Sequence, residues 1–322
     1  MTNFSIAIVI VNFQTPWLIV DCLESLRHEQ SELFTVVIVD NNSNDDSVPI
    51  LSKEISKKGW ETWVSLLPLP ENGGFAYGNN AAITKLLNSD NPPDYFWLLN
   101  PDTIVHKGAC IELVNFLKNH PHAAVAGSRL EDRDGTLQLS AFRNHSVISE
   151  LLSGMRLGLL TKILSKWVVA LAPISHAPFK TDWVSGASMM LRSDGINSIG
   201  LMDDGYFLYY EEVDYCIRLQ KAGWECWYVP SSRVVHLIGA STGMTDYRKK
   251  ASRRSTYWFE SRRRFFLKNH GWITLFLADS LWILGYSLFM LRRQIQKKDT
   301  LDPPHFLRDF FINSIFCKGI RL

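Results

Sequence analysis

Apolar runs and amphipathic stretches alternate regularly over the first 130 residues. Most of the apolar runs are continuous and rich in Val and Ile, which is typical of strands buried on both faces of a sheet. Five strands are predicted, namely IAIVIV (6–11), FTVVIVD (34–40), WVSLLPL (63–69), YFWLLN (95–100) and AAVAGSRL (123–130). Helical spacing of apolar residues separates them. The pattern therefore predicts an α/β fold with a doubly wound, mainly parallel sheet flanked by helices.

The alternation stops in the middle of the chain. Residues 145–180 have the pattern of one or two amphipathic helices, and residues 181–193 that of a strand containing a glycine. A further helix is predicted from about Glu211 to Ala222, with Gly223 as its C-terminal stop. These elements are expected to complete the α/β fold.

The C-terminal residues combine positive charge with a long apolar stretch. Residues 248–268 hold nine Lys or Arg against one acid, and residues 272–291 (WITLFLADSLWILGYSLFML) follow. Twenty residues could span a bilayer, but Asp279 near the middle costs roughly 2.5–3.5 kcal/mol on insertion scales. An interfacial helix, a span and a buried core helix all remain open. The basic and aromatic flanks favour membrane association without a span.

Composition narrows the function classes further. The apolar fraction of 46% and charged fraction of 20% are ordinary for a globular protein, and the net charge of only +2 gives no reason to expect a nucleic-acid partner. Five scattered cysteines with no C-x-x-C pair argue against a disulfide framework or zinc site and for a reducing compartment. No signal-peptide pattern stands at the N-terminus, so a cytoplasmic location is expected.

Polar residues follow the predicted strands where each strand ends. Asn12 and Phe13 follow the first strand, Asp40 ends the second, and Asn100–Asp102 follow the fourth. In such sheets ligands bind beyond the carboxyl ends of the strands. The Asn-Pro-Asp sequence could be a simple turn. Alternatively, one Asp at a strand tip would suffice for Mg²⁺ or Mn²⁺ on a diphosphate, which usually takes only one or two protein carboxylates.

The segment ENGGFAYGNN (71–80) places Gly73, Gly74 and Gly78 before a helix start. These glycines allow a close backbone approach and positive φ, although a flexible turn has the same composition. The segment matches neither a P-loop nor a dinucleotide fingerprint.

Two other segments carry ionisable groups. YYEEVDYC (209–216) puts Glu211, Glu212 and Asp214 at a helix start, where they either complement the helix dipole or supply a general base. His236 follows the strand-like run RVV and is either structural or a metal ligand.

Together these segments resemble the inverting family 2 glycosyltransferases of the GT-A fold, and within them the bacterial rhamnosyltransferase-like branch. The matching motifs cover roughly residues 5–242 in the family's order: VIVNFQT, VVIVDNNSND, ENGGFAYGNNAAI, WLLNPDT, DWVSGASMMLR, FLYYEEVDYCIRLQKAGW and VVHLIGAS.

The resemblance implies roles for individual residues. The donor nucleotide would be bound at Val11, Asn12, Phe13, Asp40, Gly74, Asn79 and Asn80. Asp102 matches the metal-binding Asp of the family's D-x-D element, which reads Asn-Pro-Asp here and lacks its first Asp, and His236 matches a metal-side His. The pair Glu211-Glu212 matches the E-D motif, with Glu212 as the catalytic base and Asp214 as an alternative base.

The resemblance also implies an activity. It is an Mg²⁺- or Mn²⁺-dependent, inverting transfer of a sugar, with rhamnose from dTDP-rhamnose as the best candidate, to a hydroxyl of a glycan or lipid-linked acceptor in bacterial surface polysaccharide synthesis. Residues 1–245 would form the catalytic domain, with a nucleotide-binding half (1–130) and an acceptor and catalytic half (131–245). Residues 246–322 would form a helical extension in peripheral contact with the anionic inner face of the cell membrane.

Two alternatives remain. A sugar nucleotidyltransferase would share the sheet and the metal, but it should carry a Gly-rich loop with Arg and Lys after the first strand, where this chain has VNFQTPW. A non-catalytic, membrane-attached glycan-binding protein could keep the fold without the activity.

Overall fold

The computed structural model of the protein describes residues 4–29, 34–171, 176–237 and 252–321. The chain divides into two compact units. Unit 1 comprises Met1–Phe142, Ala172–Phe207 and Glu211–Gly243, and unit 2 comprises Arg143–Leu171, Leu208–Tyr210 and Met244–Leu322. The boundary predicted at residue 245 stays a prediction, since the compact unit that holds the C-terminal residues also takes in Arg143–Leu171.

All five predicted strands are present in unit 1, among the eleven strands described there. The strands are β1 (Ile6–Asn12), β2 (Phe34–Asp40), β3 (Val64–Pro68), β4 (Tyr95–Leu99), β5 (Thr103–Val105), β6 (Ala123–Glu131), β7 (Ala141–Phe142), β8 (Phe179–Thr181), β9 (Trp183–Val184), β10 (Ser188–Arg192) and β11 (Glu225–His236). The five predicted ones are β1, β2, β3, β4 and β6. The α-helices found in the described residues of both units are α1 (Pro16–Leu26), α2 (Ser47–Lys57), α3 (Phe75–Leu87), α4 (Ala109–Asn119), α5 (Val147–Met155), α6 (Gly158–Ile163), α7 (Ser193–Ile199), α8 (Glu211–Lys221), α9 (Thr256–Gln296), α10 (Phe306–Asn313) and α11 (Ile315–Lys318).

The main sheet has nine strands, eight of them in the order β3-β2-β1-β4-β10-β6-β11-β5, with β8 paired to β11. The longest ladders, β1 with β2 and β6 with β11, are parallel. Strand β10 lies antiparallel between β4 and β6, a feature that the apolar pattern did not indicate. The prediction of an α/β fold with a mainly parallel sheet and flanking helices is confirmed.

The central strands β1, β2 and β4 are buried on both faces over almost their whole length, as their continuous apolar runs predicted. Ile8 and Ile10 of β1, Ile38 of β2 and Trp97 of β4 are all fully buried. Parallel pairing aligns β1 with β2 so that Asn12 lies opposite Asp40 at their carboxyl ends. The first polar residues after the core therefore lie at one edge of the sheet.

Unit 2 is built around the 41-residue helix α9. Gly271, with φ 80° and ψ 170°, breaks α9 into a first segment (256–270) and a second segment (272–296). Helix α5 packs closely against the second segment. A Cβ added at Gly154 would lie only 2.7 Å from the carbonyl oxygen of Trp282. A Cβ at Gly285 would in turn lie 2.9 Å from the amide nitrogen of Met155. The two glycines allow these helices to approach each other through their backbones.

A buried ion network connects the two segments of α9. Arg262 on the first segment lies 2.6 Å from Asp279 on the second and 2.7 Å from Glu150 on α5. The second carboxylate oxygen of Asp279 accepts a hydrogen bond from the amide of Ile315 at 2.8 Å. Asp279, which counted against a membrane span in the sequence, is thus paired inside unit 2, and Arg262 is itself buried there.

The second segment of α9 combines the properties of a core helix and of a surface helix. Leu275, Trp282 and Tyr286 are buried within unit 2. Its other face exposes large apolar side chains: Trp272, Ile273, Phe276, Leu277, Leu284, Leu288, Leu291 and Ile295. By length and composition alone, α9 is the one helix in the described ranges that could cross a membrane. Of the basic run that precedes it, residues 248–251 lie outside the described residues.

Candidate active site

The carboxyl ends of β1 and β2 are joined by a network of buried polar side chains. Asn12 donates from Nδ2 to Oδ1 of Asp40 at 2.6 Å, and the hydroxyl of Ser43 donates to the same oxygen at 2.6 Å. The amide of Ser43 donates to Oδ2 of Asp40, and Oδ1 of Asn12 accepts from the amide of Thr15. These bonds fix the side chains of Asn12 and Asp40, two of the residues predicted to bind the donor nucleotide. Phe13, which follows Asn12 in the chain, is 44% exposed.

The glycine loop before α3 is locked to the end of β2. The carbonyl of Gly74 accepts a hydrogen bond from Asn41 Nδ2 at 2.7 Å, and the amide of Phe75 donates to the carbonyl of Phe207 at 2.9 Å. Gly74 has φ 93°, and a Cβ there would lie 1.9 Å from the oxygen of Phe207. Only glycine fits this position.

The two predicted asparagines of α3 differ in their surroundings. Asn80 exchanges two hydrogen bonds with the backbone of Met202, at 2.9 and 3.1 Å, so its side chain is engaged in fastening α3 to the chain before α8. Asn79 donates to the carbonyl of Phe75, but its buried Oδ1 accepts no hydrogen bond from the residues described. Of the two, Asn79 has the polar atom left to contact a ligand.

Asp102 and His236 lie together at the other end of the same edge. Strand β5 pairs antiparallel with the end of β11, opposing His236 to Thr103, and the amide of Leu237 donates to the carbonyl of Asp102 at 2.9 Å. As a result His236 Nε2 lies 3.5 Å from Oδ1 of Asp102. The opposite ring nitrogen of His236 lies 3.3 Å from Oε1 of Gln138. Two residues that are far apart in sequence, and that the resemblance assigned to one metal, are therefore neighbours.

The oxygen of Asp102 and the nitrogen of His236 are suitable ligands for a divalent cation that is also bound by the substrate. A carboxylate oxygen suits Mg²⁺ or Mn²⁺, and imidazole is a common metal ligand. Among the residues described, no group of three or more His, Cys, Asp or Glu side chains could enclose a metal. Two protein ligands match a cation whose remaining positions are filled by phosphate oxygens and water.

Glu211 and Glu212 start helix α8, next to backbone of unusual conformation. Tyr209 and Tyr210, directly before them, both have positive φ, at 72° and 70°. Such conformations cost of order 1–3 kcal/mol each and are concentrated at functional sites. The backbone thus turns sharply at the point where the carboxylates begin.

The environment of this pair favours the neutral acids. Burial raises the pKa of Glu212 to about 7, although backbone N–H groups that hydrogen-bond to it act in the opposite direction. Burial, and then the charge of Glu212, raise the pKa of Glu211 well above its usual range. Oε2 of each side chain is buried and accepts no hydrogen bond from any described residue. A carboxylate with these properties can accept a proton near neutral pH.

The third acid of this motif has a different environment. Asp214 is fully buried and accepts hydrogen bonds from Arg218 Nε at 3.0 Å and from the hydroxyl of Tyr206 at 3.3 Å. Both carboxylate oxygens of Asp214 are therefore engaged by neighbouring side chains, whereas Oε2 of Glu212 accepts no hydrogen bond from a described residue. The geometry favours Glu212 over Asp214 as the base.

The loop between β9 and β10 links the metal-side and acid-side residues. The amide of Asn100, at the start of Asn-Pro-Asp, donates to the carbonyl of Ala187 at 3.0 Å. A Cβ at the adjacent Gly186 would lie 3.4 Å from the ring of Phe75 and 4.0 Å from Cβ of Glu212. The sequence pattern gave no role to this loop, nor to the individual residues Asn41 and Ser43. The only signals were the SGAS sequence of the loop and the dense run of Asn, Ser and Asp.

Two family models match the chain. The model described as Glycosyl transferase family 2 matches residues 7–175, and that described as Glycosyl transferase family group 2 matches residues 95–296. The chain belongs to glycosyl transferase family 2. It is therefore a glycosyltransferase, as the motifs predicted, and the alternatives of a nucleotidyltransferase or a non-catalytic protein lose their support.

Curated relatives of this family 2 glycosyltransferase include rhamnosyltransferases. The chain is 29% identical over 290 residues to the N-acetylglucosaminyl-diphospho-decaprenol L-rhamnosyltransferase of Mycobacterium tuberculosis, covering 87% of this chain and 88% of the relative. It is 27% identical over 197 residues to the rhamnosyltransferase WbbL of Escherichia coli, covering 59% and 71%. The predicted rhamnosyltransferase-like resemblance is confirmed.

Solved structures support the fold. GalNAc-T7, determined with UDP, GalNAc and Mn²⁺, matches with a TM-score of 0.57 and 13% identity over 98% of this chain and 59% of that chain. The mannosyltransferase PcManGT of Pyrobaculum calidifontis, determined with GDP-Man and Mn²⁺, matches with a TM-score of 0.57 and 9% identity over 98% and 88%. At such identities the likeness concerns the fold, and it confirms the predicted GT-A architecture.

Proposed function

We propose that the enzyme transfers rhamnose from dTDP-rhamnose, with inversion, to a hydroxyl of a lipid-linked glycan acceptor during synthesis of a bacterial surface polysaccharide. One observation carries this proposal. The loop with Gly186 and Ala187 contacts both the Asn-Pro-Asp turn that ends at Asp102 and the residue Glu212, whose pKa is raised to about 7. An inverting transfer needs a site for the leaving diphosphate and a base for the acceptor within one cleft.

The donor nucleotide is assigned to the edge formed by β1, β2 and α3. Phe13 offers an exposed ring for contact with a base, beside Val11, Asn12 and Asp40. Gly74 and the unpaired Oδ1 of Asn79 lie at the start of α3, whose backbone N–H groups favour negative charge. Asn80 supports this site indirectly, through its two bonds to Met202.

Asp102 and His236 are assigned as the protein ligands of Mg²⁺ or Mn²⁺. When bound, the cation would offset the negative charge that develops on the leaving diphosphate. The chain's own contribution is to hold Oδ1 of Asp102, directly before β5, next to Nε2 of His236 at the end of β11, so that neither side chain must reorganise during the reaction.

Glu212 is assigned as the catalytic base. Its Oε2 takes the proton of the acceptor hydroxyl while the hydroxyl oxygen forms a bond to the anomeric carbon. The bond from that carbon to the diphosphate oxygen breaks on the opposite face, which inverts the configuration. With a pKa of about 7, Glu212 is largely ionised just above neutrality and is still a useful proton acceptor. Burial and the neighbouring charge of Glu212 also raise the pKa of Glu211, which disfavours a second negative charge beside the base.

The sugar and acceptor rest on the relatives. Two of them are rhamnosyltransferases by name, and the name of one specifies a diphospho-decaprenol acceptor. The exposed apolar face of α9 in unit 2 is consistent with an enzyme that meets a lipid-linked acceptor at the cytoplasmic membrane surface. We assign unit 2 to peripheral membrane contact on the cytoplasmic side.

Calorimetric titration tests the donor assignment. dTDP, UDP and GDP are titrated into the wild type and Asp102→Asn, each with and without Mn²⁺. We expect dTDP to bind in a Mn²⁺-dependent manner, and the dependence to disappear in Asp102→Asn. Preference for UDP or GDP would overturn the choice of dTDP-rhamnose. No nucleotide binding by folded protein would overturn the donor site.

A further inference from the structure

Unit 2 contains an open groove between the second segment of α9 and the residues around α10. Its volume is about 690 Å³, within the roughly 300–1,000 Å³ of sites that bind small molecules. Apolar side chains form its floor: Ile283, Tyr286, Met290, Phe306, Leu307 and Phe311. Phe311 is also 47% exposed, so the floor continues onto the outer surface of the unit.

The rim of the groove is basic. Arg293, His305 and Arg308 line it together with one acid, Asp302. The charge of Asp302 is already engaged, because its carboxylate lies 2.8 Å from Arg156 and accepts a hydrogen bond from the hydroxyl of Tyr286 at 2.9 Å. The two arginines therefore determine the charge of the rim.

Arg293 has a buried hydrogen-bond donor that the described residues do not satisfy. Its Nε is buried and has no acceptor among them. The preceding residue, Arg292, differs, because it donates to the carbonyls of Met155 and Arg156 at 3.2 and 2.9 Å. A buried donor without an acceptor is unfavourable, and an anion bound by the guanidinium would offset that cost.

We propose that this groove binds the isoprenoid diphosphate portion of the lipid-linked acceptor, with the apolar chain on the floor and the diphosphate at Arg293, His305 and Arg308. The inference rests on the proposed function for the identity of this lipid. A single branched chain with a doubly charged head matches one apolar groove with a cationic end. A diacyl phospholipid has two chains and only one phosphate.

Farnesyl diphosphate serves as the probe, titrated calorimetrically into the full chain. EDTA is present throughout, so that Asp102 and a cation cannot capture the diphosphate. Farnesol, inorganic pyrophosphate and a short-chain phosphatidylglycerol are titrated in parallel. We expect farnesyl diphosphate to bind at least tenfold more tightly than each of the three. Equal binding of phosphatidylglycerol would overturn the isoprenoid assignment in favour of a general lipid site.

Substitutions locate the binding. Met290→Trp fills the floor and should weaken farnesyl diphosphate at least tenfold, whereas Leu288→Trp, on the exposed face of the same helix, should leave it unchanged. Arg293→Gln should weaken farnesyl diphosphate roughly tenfold, as expected for a hydrogen bond to a charged group, without affecting farnesol. Unchanged affinity in both Met290→Trp and Arg293→Gln would refute the site.

Nucleotide titrations of the same variants keep the two proposals apart. Met290→Trp and Arg293→Gln should retain the Mn²⁺-dependent nucleotide binding of the wild type. If the wild type binds farnesyl diphosphate but no nucleotide, the assignment of the donor site is wrong and the assignment of the groove is supported. Intact nucleotide binding without farnesyl diphosphate binding would defeat the groove alone.

Discussion

His236 Nε2 lies 3.5 Å from Oδ1 of Asp102, and main-chain hydrogen bonds hold the two residues next to each other. Strand β5, which begins directly after Asp102, pairs with the last residues of β11, and the amide of Leu237 is bonded to the carbonyl of Asp102. The pair is therefore preformed by strand register. A ligand that uses both side chains does not have to pay for ordering them.

We expect His236→Gln to weaken Mn²⁺-dependent nucleotide binding at least tenfold, since loss of even an outer-shell partner of a metal ligand typically costs 10–100-fold. Binding without Mn²⁺ should not change. His28→Gln, at an exposed position on the surface of unit 1, is the matched control. Titration calorimetry measures both, and equal Mn²⁺ dependence in the two variants would remove His236 from the metal site.

The pH dependence of the reaction should report Glu212. A base must be ionised to accept a proton, and burial raises the pKa of this carboxyl to about 7. The value of kcat/KM should therefore rise with pH and level off above about 7, and Glu212→Gln should lower it by roughly 10²–10⁴. Asp214→Asn tests the alternative base: a larger loss of activity than in Glu212→Gln, with intact folding, would transfer the role to Asp214.

The same group should make stability fall as pH rises. A carboxyl with a folded-state pKa near 7 and an ordinary unfolded value near 4.5 binds more protons when folded, so its stabilising contribution is complete below about 4.5 and is lost by about 7. Glu212→Gln removes this titration. Relative to the wild type the variant should gain stability between pH 4.5 and 8, measured by urea unfolding. A constant difference across that range would contradict the raised pKa.

The sequence was sufficient for elements whose local pattern and tertiary setting agree. Continuous Val and Ile runs such as β1 and β2 form buried strands almost residue for residue. Strand β5 was missed because three residues after Asn-Pro-Asp carry no periodicity. The antiparallel placement of β10 depends on pairing with β4 and β6, distant segments that its own residues do not identify.

The candidate site could be predicted residue by residue only where family motifs exist. Side-chain environments had to come from the fold. The paired state of Asp214 and the use of Asn80 as a brace for Met202 depend on contacts between separate segments. Asp279 is the clearest case. In the sequence it is a single charge within an apolar stretch, but in the structure it pairs with Arg262, which lies on the other side of the break at Gly271.

Gly74→Ala should destabilise the enzyme strongly and disturb donor binding, whereas Gly135→Ala should destabilise it less and leave donor binding intact. Both glycines have positive φ, which costs an alanine about 1–2 kcal/mol. Only at Gly74 would the new Cβ overlap a backbone atom, the oxygen of Phe207, so we expect a total loss of about 3 kcal/mol there. Urea unfolding compares the two variants. Equal losses would show that steric fit at Gly74 is unimportant.

Peripheral membrane contact should depend on the exposed face of α9. Leu288→Glu with Ile295→Glu places charges on that face and should reduce co-sedimentation with phosphatidylglycerol vesicles at least tenfold, since burying one such side chain is worth about 1.5–3 kcal/mol. Thr62→Glu with Thr84→Glu makes the same charge change at exposed positions of unit 1. An equal decrease in both double variants would attribute binding to net charge instead of the apolar face.

The network of Arg262 gives unit 2 a distinct response to mutation. Burial alone would raise the pKa of Glu150, yet the positive charge of Arg262 holds it below its usual value, so the carboxylate depends on the guanidinium. Arg262→Met leaves two buried carboxylates, Glu150 and Asp279, without that partner and should cost about 3–5 kcal/mol. Arg27→Met, which breaks an exposed pair with Glu24, should cost about 1 kcal/mol or less.

Replacing the whole network should recover most of this loss. In the triple variant Arg262→Met, Glu150→Leu, Asp279→Leu no buried charge is left uncompensated, and apolar packing can take the place of the ions. Urea unfolding of the single and triple variants separates the two effects. If the triple variant is as unstable as Arg262→Met, the network itself, rather than the avoidance of unpaired charge, holds the two segments of α9 together. If it recovers, the ions are dispensable for folding and Asp279 is tolerated in an apolar helix only because Arg262 neutralises it.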